Sequence, residues 1–256
     1  MSLFSIILQS LYVSLIIQVF FFIIASINKT DKVTDLSYGL TFIAIAIISF
    51  LKSDQTAMHW LLLAMIVIWG IRLSSYLFIR IMKIKVDRRF NKIRNSFIQF
   101  GKFWLLQAIS VWIISLPAAI SFSKYINLTI WSTVGLIIWL TGLIIETIAD
   151  KQKFQYKNQP ENKNRWTDVG LWKYSRHTNY FGEILCWWGI FLFCLPSLNN
   201  YELLSVVGPI FITFILLFIT GVPPIENRYL KKFGKNIDYQ KYIKETNLLI
   251  PIPKKN

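Results

Sequence analysis

Residues 2–28 carry no charged side chain, and six more uncharged runs follow at 36–51, 55–71, 103–123, 125–145, 184–201 and 203–225. The third run resumes past Arg72 and continues to residue 79. A helix needs about 20 mostly apolar residues to cross the roughly 30 Å hydrocarbon core of a bilayer. The pattern therefore predicts an all-α, polytopic membrane helix bundle of about seven transmembrane helices, a single integral membrane domain over residues 1–256. The run 36–51 is short, so six or eight spans are the alternatives. Composition closes the other routes: the chain is 54% hydrophobic and only 16% charged. A soluble chain of 30.0 kDa has too little interior to hide that much apolar surface. Disorder, a coiled coil and a disulfide scaffold are excluded by the same numbers. A secretory signal peptide is not expected, because no basic segment precedes Leu3 and the apolar run is too long.

The formal net charge of +15 is unusual in so apolar a chain. Of the 28 Lys and Arg residues, 25 fall in alternate connectors: 28–35, 80–102, 150–179 and the tail after Val222. Lys52 and Lys124 lie in the opposite connectors, and Arg72 lies inside a span. The positive-inside rule then predicts an outside N-terminus and a cytoplasmic C-terminus. Headgroup contact with membrane lipids accounts for most of these lysines. Nucleic acid is not an expected partner, since the basic residues are tethered in separate short loops at a membrane.

Ionisable groups inside spans are costly, about 2.5–3.5 kcal/mol each on insertion scales, and so point to function or to a partner. Arg72 lies eight residues before Arg80. Glu146 and Asp150 are four apart and share a helix face. Asn179 and Glu183 are four apart at the start of the sixth span, and Glu226 and Arg228 follow the seventh. All fall in the predicted cytoplasmic leaflet, which suits a charged cytosolic cofactor meeting a lipid-soluble substrate. The segment 150–183 interleaves basic and aromatic residues able to hold phosphates and stack a flat base. Arg176 and His177 sit just before a helix N-terminus, where the dipole favours anions. Thr178 or Asn179 is the expected N-cap, and Gly182 allows close backbone approach. Cys186 and Cys194 are not at a metal-ligand spacing and are expected to be packing residues, so no metal is expected. His59, beside Trp60, is expected at a membrane interface.

Three stretches, GLIIWLTGLIIETIADKQKFQYK (135–157), VGLWKYSRHTNYFGEILCWWG (169–189) and GVPPIENRYLKKFGKNIDYQKYIKETNLLIPIP (221–253), resemble the steroid 5α-reductase-like membrane family, in particular its bacterial branch. DLSYGLTF (35–42), WGIRLSSYLFIR (69–80) and FWLLQAISVWIISLP (103–117) are weaker matches. The resemblance implies a seven-helix membrane fold with its cofactor-binding core at 130–256. It also implies NADPH-dependent reduction of a C=C bond conjugated to a carbonyl in a steroid-like or other apolar lipid, and a bacterial inner-membrane location with the site open to the cytoplasm. Arg72, Glu146, Asp150, Lys157, Arg165, Asn179 and Tyr229 fall at cofactor-contacting positions of the family. Arg176, His177, Tyr180, Arg228 and Tyr239, from the same motifs, complete the expected cofactor set. Glu183 matches the acid of the family's NYFGE motif and is expected to hold the nicotinamide carboxamide or a neighbouring arginine.

The chain departs from the steroid reductases at three positions. Glu146 replaces an amide, and Lys157 replaces an arginine, giving a point charge rather than a fork. Trp69 stands where the tyrosine that contacts the substrate carbonyl is found. Trp donates one N–H and is no ordinary acid, so Tyr38 or Asp35 is the expected replacement. Thr178 replaces the proline of the bacterial RHPNY motif. Isoprenylcysteine and phospholipid methyltransferases share an RHPxYxG-like motif and a similar tail, which makes an S-adenosylmethionine-dependent lipid methyltransferase the alternative. A non-catalytic lipid-binding membrane protein is the third reading.

Overall fold

The computed structural model describes residues 2–84 and 93–253, except for the side chain of Ile84. Of the basic residues in the topology argument, Lys85, Arg88, Arg89, Lys92, Lys254 and Lys255 lie outside the described residues. The described chain is helical, with helices α1 (Leu3–Ile27), α2 (Thr34–Phe50), α3 (Ala57–Ile84), α4 (Phe97–Ser121), α5 (Ile130–Asn158), α6 (Thr178–Cys194), α7 (Val207–Phe214), α8 (Val222–Phe233) and α9 (Ile237–Glu245). Six helical segments are long and apolar enough to cross a membrane: Leu3–Ile27, Ala57–Lys83, Phe97–Ser121, Ile130–Asn158, Thr178–Ser197 and Asn200–Phe233. The remaining expected span is α2, apolar but only 17 residues long. The protein is thus an all-α integral membrane protein.

Two spans differ from their sequence outlines for clear reasons. The uncharged run 125–145 understates α5, which continues to Asn158. Charged residues are good helix formers once clear of the hydrocarbon, and no breaker appears before Pro160. The last span is segmented: a 3-10 stretch (Asn200–Val206), α7, a π-turn (Ile215–Ile219), then α8 with Pro223 and Pro224 in its first turn. Proline is accepted there because those N–H groups have no intrahelical partner.

The chain divides into two compact units, residues Met1–Leu136 with Ile190–Phe211 and residues Ile137–Gly189 with Ile212–Asn256. In the first, α1 packs on α4 and α2 on α3. Helices α2 and α3 meet at glycines: a Cβ on Gly39 would lie 2.9 Å from the Gly70 carbonyl oxygen. Small residues at such crossings let backbones approach closely in a membrane. Polar side chains join α1, α2 and α4. Gln18 Nε2 donates to Thr41 Oγ1 (2.8 Å), while Gln107 Nε2 reaches Gln18 Oε1 (2.9 Å), Ser37 Oγ (3.0 Å) and the Thr34 carbonyl (3.1 Å). None of these residues is ionisable, so a search for charges inside spans passes over them. Gln107→Leu leaves Gln18 Oε1 without its donor in an apolar surrounding. It is expected to cost about 1–2 kcal/mol, read as a lowered Tm in detergent; an unchanged Tm would contradict the role.

Two ion pairs, Arg80–Asp35 (3.1 Å) and Arg94–Asp31 (2.9 Å), lie at one end of these helices. Asp35, a suggested carbonyl-polarising group, is therefore engaged with Arg80. His59, expected at a membrane interface, is fully buried within the protein. Its Nδ1 accepts from the Thr56 N–H and its Nε2 donates to the Lys124 carbonyl (2.8 Å). Trp60, Tyr125, Trp131 and Tyr201 are exposed, as expected of aromatic residues at a membrane–water boundary. Along α1 the exposed stripe Phe4, Ile16, Phe20, Ile23 and Ile27 suits lipid and not water.

Candidate functional site

The second unit gathers most of the expected cofactor residues. Its scaffold is the crossing of α5 and α6. A Cβ on Gly142 would lie 2.6 Å from the Gly182 carbonyl oxygen, and one on Gly182 would lie 2.7 Å from the Glu146 backbone nitrogen. The expected close approach at Gly182 is thus made to α5. Beyond the crossing, Glu146, Asp150, Lys153 and Lys157 follow one another at helical spacing along a single face of α5. Glu146, Asp150 and Glu183 are all buried.

The connector from α5 to α6 is pinned along this face. Gly170 has φ +55°, a conformation that favours glycine, and a Cβ there would displace the end of the Gln152 side chain. Gln152 Oε1 accepts from the Leu171 N–H (2.9 Å), and the Trp172 indole donates to the Ala149 carbonyl (2.9 Å). Lys153 Nζ stands 4.4 Å from the centre of the Trp172 ring, a cation–π contact. Lys157 Nζ donates to the Arg165 carbonyl, and it and Arg228 both lie over the Tyr229 ring, at 5.8 Å and 5.6 Å.

Glu226 is the hub of the C-terminal half. Its Oε1 accepts from His177 Nε2 (2.8 Å), and its Oε2 pairs with Arg176 Nη2 (3.3 Å). Burial holds the His177 pKa below its ordinary value, against the opposing pull of Glu226. The imidazole is neutral at pH 7 and donates its Nε2 proton to the carboxylate. His177 also stacks on Tyr180, with ring planes 4° apart. Arg176 Nη1 donates to the Ile243 carbonyl (2.8 Å) near the end of α9, where carbonyls lack intrahelical donors. The Arg176 N–H bonds the Asn247 carbonyl (2.9 Å), beside an isolated parallel bridge between Ser175 and Asn247.

Under these residues Trp166, Phe233, Tyr239 and Tyr242 form an aromatic core with Tyr229. The Tyr242 hydroxyl donates to the Trp172 carbonyl (2.9 Å). Between the core and the hub lies a small, partly open pocket with room for about one water molecule, lined by Lys153, Thr167, Trp172, Arg176, Ile225, Glu226, Tyr229, Tyr239 and Tyr242. Three of its lining groups, Thr167 Oγ1, Arg176 Nε and the Tyr239 hydroxyl, are buried with no hydrogen-bond partner. Burial pushes the Tyr239 hydroxyl up to about 12, so it remains a donor at any physiological pH. Leaving buried polar atoms unpaired costs about 1–3 kcal/mol each, and a ligand that satisfies them recovers it.

Neither Thr178 nor Asn179 caps α6. Thr178 is its first helical residue, and Thr178 Oγ1 and Asn179 Oδ1 are both buried with no partner. The arginine neighbouring the NYFGE motif, Arg176, is paired with Glu226. Tyr38, Trp69 and Arg72 belong to the first unit. Trp69 is fully buried and meets Phe42 edge to face (5.4 Å), as Tyr38 does (5.1 Å). Arg72 lies over the Tyr76 ring (5.8 Å). The expected site set omitted Lys153, Thr167, Trp172, Glu226 and Tyr242. Lys153 had a readable signal, since it continues the face of Glu146 and Asp150. Glu226 and Tyr242 lie in the tail stretch 221–253 that carries the resemblance, whereas Thr167 had no signal.

Over 111 residues the chain is 29% identical to human "3-oxo-5-alpha-steroid 4-dehydrogenase 1", covering 43% of this chain and 39% of that protein. It is likewise 29% identical over 119 residues to the Macaca fascicularis protein of the same name, covering 46% and 40%. The chain therefore spans about two fifths of the length of the curated relatives it matches. No solved structure matches it significantly. A family model described as "Protein of unknown function (DUF1295)" matches residues 21–246, and the chain, which is distantly similar to the steroid 5α-reductases, belongs to that family.

Proposed function

We propose that the protein is an integral-membrane reductase that uses NADPH to reduce a C=C bond conjugated to a carbonyl in an apolar, steroid-like lipid. The observation that carries this reading is the cavity of the second unit, with its unpartnered Thr167, Arg176 and Tyr239 atoms under a basic and aromatic rim. The name of the relatives supports the reaction class. The residues fit the group in kind: cations for phosphates, flat rings for a base, and neutral donors for ribose hydroxyls or an amide. As it stands the pocket has room for little more than a water molecule, so on this reading its rim opens to admit one end of the dinucleotide, and further contacts fall on Asn179 Oδ1 and Thr178 Oγ1 of the same unit. Positive-inside topology supports a cytoplasmic face for this unit's loops, and the resemblance to the bacterial branch supports an inner-membrane location.

When bound, NADPH supplies a hydride to the β-carbon of the conjugated lipid, and the α-carbon takes a proton. The chain's own groups do the rest. Lys153 in the lining would hold negative charge, with Lys157 and Arg228 over the Tyr229 ring and Arg165 beside Lys157, and Glu226 keeps Arg176 and His177 in place. The buried Glu146, Asp150 and Glu183 orient polar parts of the cofactor. A hydroxyl donor at the substrate carbonyl stabilises the oxyanion that develops. Tyr38 is assigned that role over Trp69 because an O–H is the stronger acid of the two donors. The core at 130–256 is the cofactor-binding part of the domain.

Purified protein in detergent is expected to rise in Tm with NADPH and not with S-adenosylmethionine. A ligand at one hundred times its Kd stabilises by about 2.7 kcal/mol. The reverse pattern would transfer the site to methyl transfer. Asn179→Ala is expected to reduce the NADPH-induced shift while leaving the Tm without ligand within about 0.5 kcal/mol. Its Oδ1 has no partner in the protein to lose. Equal loss of both would make Asn179 a folding residue.

A further inference from the structure

We propose that the outward face of α9 and the tail after it form a membrane-surface element that binds anionic phospholipid headgroups. Helix α9 has two faces. Tyr239 and Tyr242 point into the Trp166 core. Opposite them, at positions i, i+4 and i+7, stand Ile237, Lys241 and Lys244, with Ile237 81% exposed. Helix α9 runs into a tail bonded to Ser175 and Arg176, which immediately precede the apolar segment Thr178–Ser197, so this end of α9 lies beside the start of a span.

The tail after α9 is held in place. The Arg176 N–H bonds the Asn247 carbonyl (2.9 Å), and Ser175 Oγ donates to the Leu249 carbonyl (2.7 Å). Leu248, Ile250 and Ile252 are exposed along this anchored stretch. Between residues 230 and 253 lie five lysines against Asp238 and Glu245. Lysines interleaved with exposed aliphatic side chains, fixed beside a span, match a surface of negative headgroups over buried acyl chain. An aqueous surface would gain nothing from Ile237, and a purely apolar partner would leave the net positive charge of this stretch uncompensated, even with Lys241 paired to Glu245 (3.8 Å). The occupant is therefore anionic lipid of the same membrane.

The test uses the full chain in nanodiscs. Cys186 and Cys194 are fully buried, so an Ile237→Cys variant takes a polarity-sensitive fluorophore at that position. A Gln159→Cys variant, exposed in the same unit, is the control. In phosphatidylcholine doped with phosphatidylglycerol, the label at 237 is expected to shift to the blue. Nitroxide-bearing lipid should quench it several-fold more than the label at 159. Adding Lys241→Glu and Lys244→Glu should remove most of the difference and lower the phosphatidylglycerol retained in native mass spectrometry. Emission at 237 that stays aqueous in both lipids overturns the proposal. So does a blue shift that is the same in detergent, in phosphatidylcholine and with phosphatidylglycerol, which would mean contact with protein, such as a second copy of the chain.

Discussion

Glu226→Ala is expected to lower stability by about 3–5 kcal/mol and to abolish the NADPH-induced rise in Tm. This carboxylate is shared by two otherwise costly groups, the fully buried His177 ring and the Arg176 guanidinium, whose side chain is 14% exposed. Removing one member of such a cluster leaves buried polarity uncompensated, which is why the cost exceeds that of a surface pair. Glu226→Gln keeps the shape and one acceptor and should cost about 1–3 kcal/mol. Thermal unfolding in detergent, with and without NADPH, reads both effects. A Glu226→Ala variant as stable as the parent would remove the hub from the account.

The same cluster sets a pH dependence with a definite sign. Burial lowers the folded-state pKa of His177, and Glu226 opposes the shift. Below pH 6.5 the unfolded chain takes up a proton at this residue before the folded chain does, so stability falls with acidification until the depressed folded value is passed. Above pH 6.5 the contribution is flat. In Glu226→Gln the opposing pull is gone, the depression deepens, and the acid-side loss should be larger and extend to lower pH. His177→Gln should flatten that part of the profile.

The membrane character was legible because it rests on summed composition, and seven uncharged runs are hard to produce any other way. The boundary of α5 was not, because charged residues end a hydropathy run without ending a helix. The face Glu146–Asp150–Lys153–Lys157 could be read from spacing alone once α5 is taken to Asn158. The partner of Arg176 could not: Glu226 lies 50 positions along the chain, and nothing local distinguishes it from Glu183 as a pairing acid. The orphaned Thr167 oxygen is a property of packing, since a threonine in a loop is ordinarily solvated. The Gln18–Gln107 network escaped for a different reason. Amides carry no charge and so leave no mark in a topology argument, yet in hydrocarbon they need partners just as strictly.

Gly182→Val is expected to eliminate folded protein. In most proteins a helix glycine is a weak point, worth up to about 1 kcal/mol less than alanine, and replacing it helps. At the α5–α6 crossing the sign reverses. The Cβ would sit 2.7 Å from the Gly142 carbonyl oxygen and from the Glu146 backbone nitrogen. These are backbone atoms of a hydrogen-bonded helix, so no rotamer change relieves the clash and the two helices must part. Overpacking of this kind costs about 3 kcal/mol or more, and it also moves Glu146, whose Cβ is equally close. Gly142→Ala meets the mirror obstruction, 2.6 Å from the Gly182 carbonyl oxygen and 2.8 Å from the Cys186 nitrogen, and should fail in the same way. Gly101→Ala in α4 is the internal control. Its Cβ would meet Phe22 at 3.6 Å, an ordinary contact, so alanine there should be neutral or stabilising by up to about 1 kcal/mol. Monodisperse yield and Tm in detergent separate the cases. If Gly182→Val and Gly142→Ala behave like Gly101→Ala, then α5 and α6 do not cross backbone to backbone, and the placement of Glu146 beside α6 fails with them.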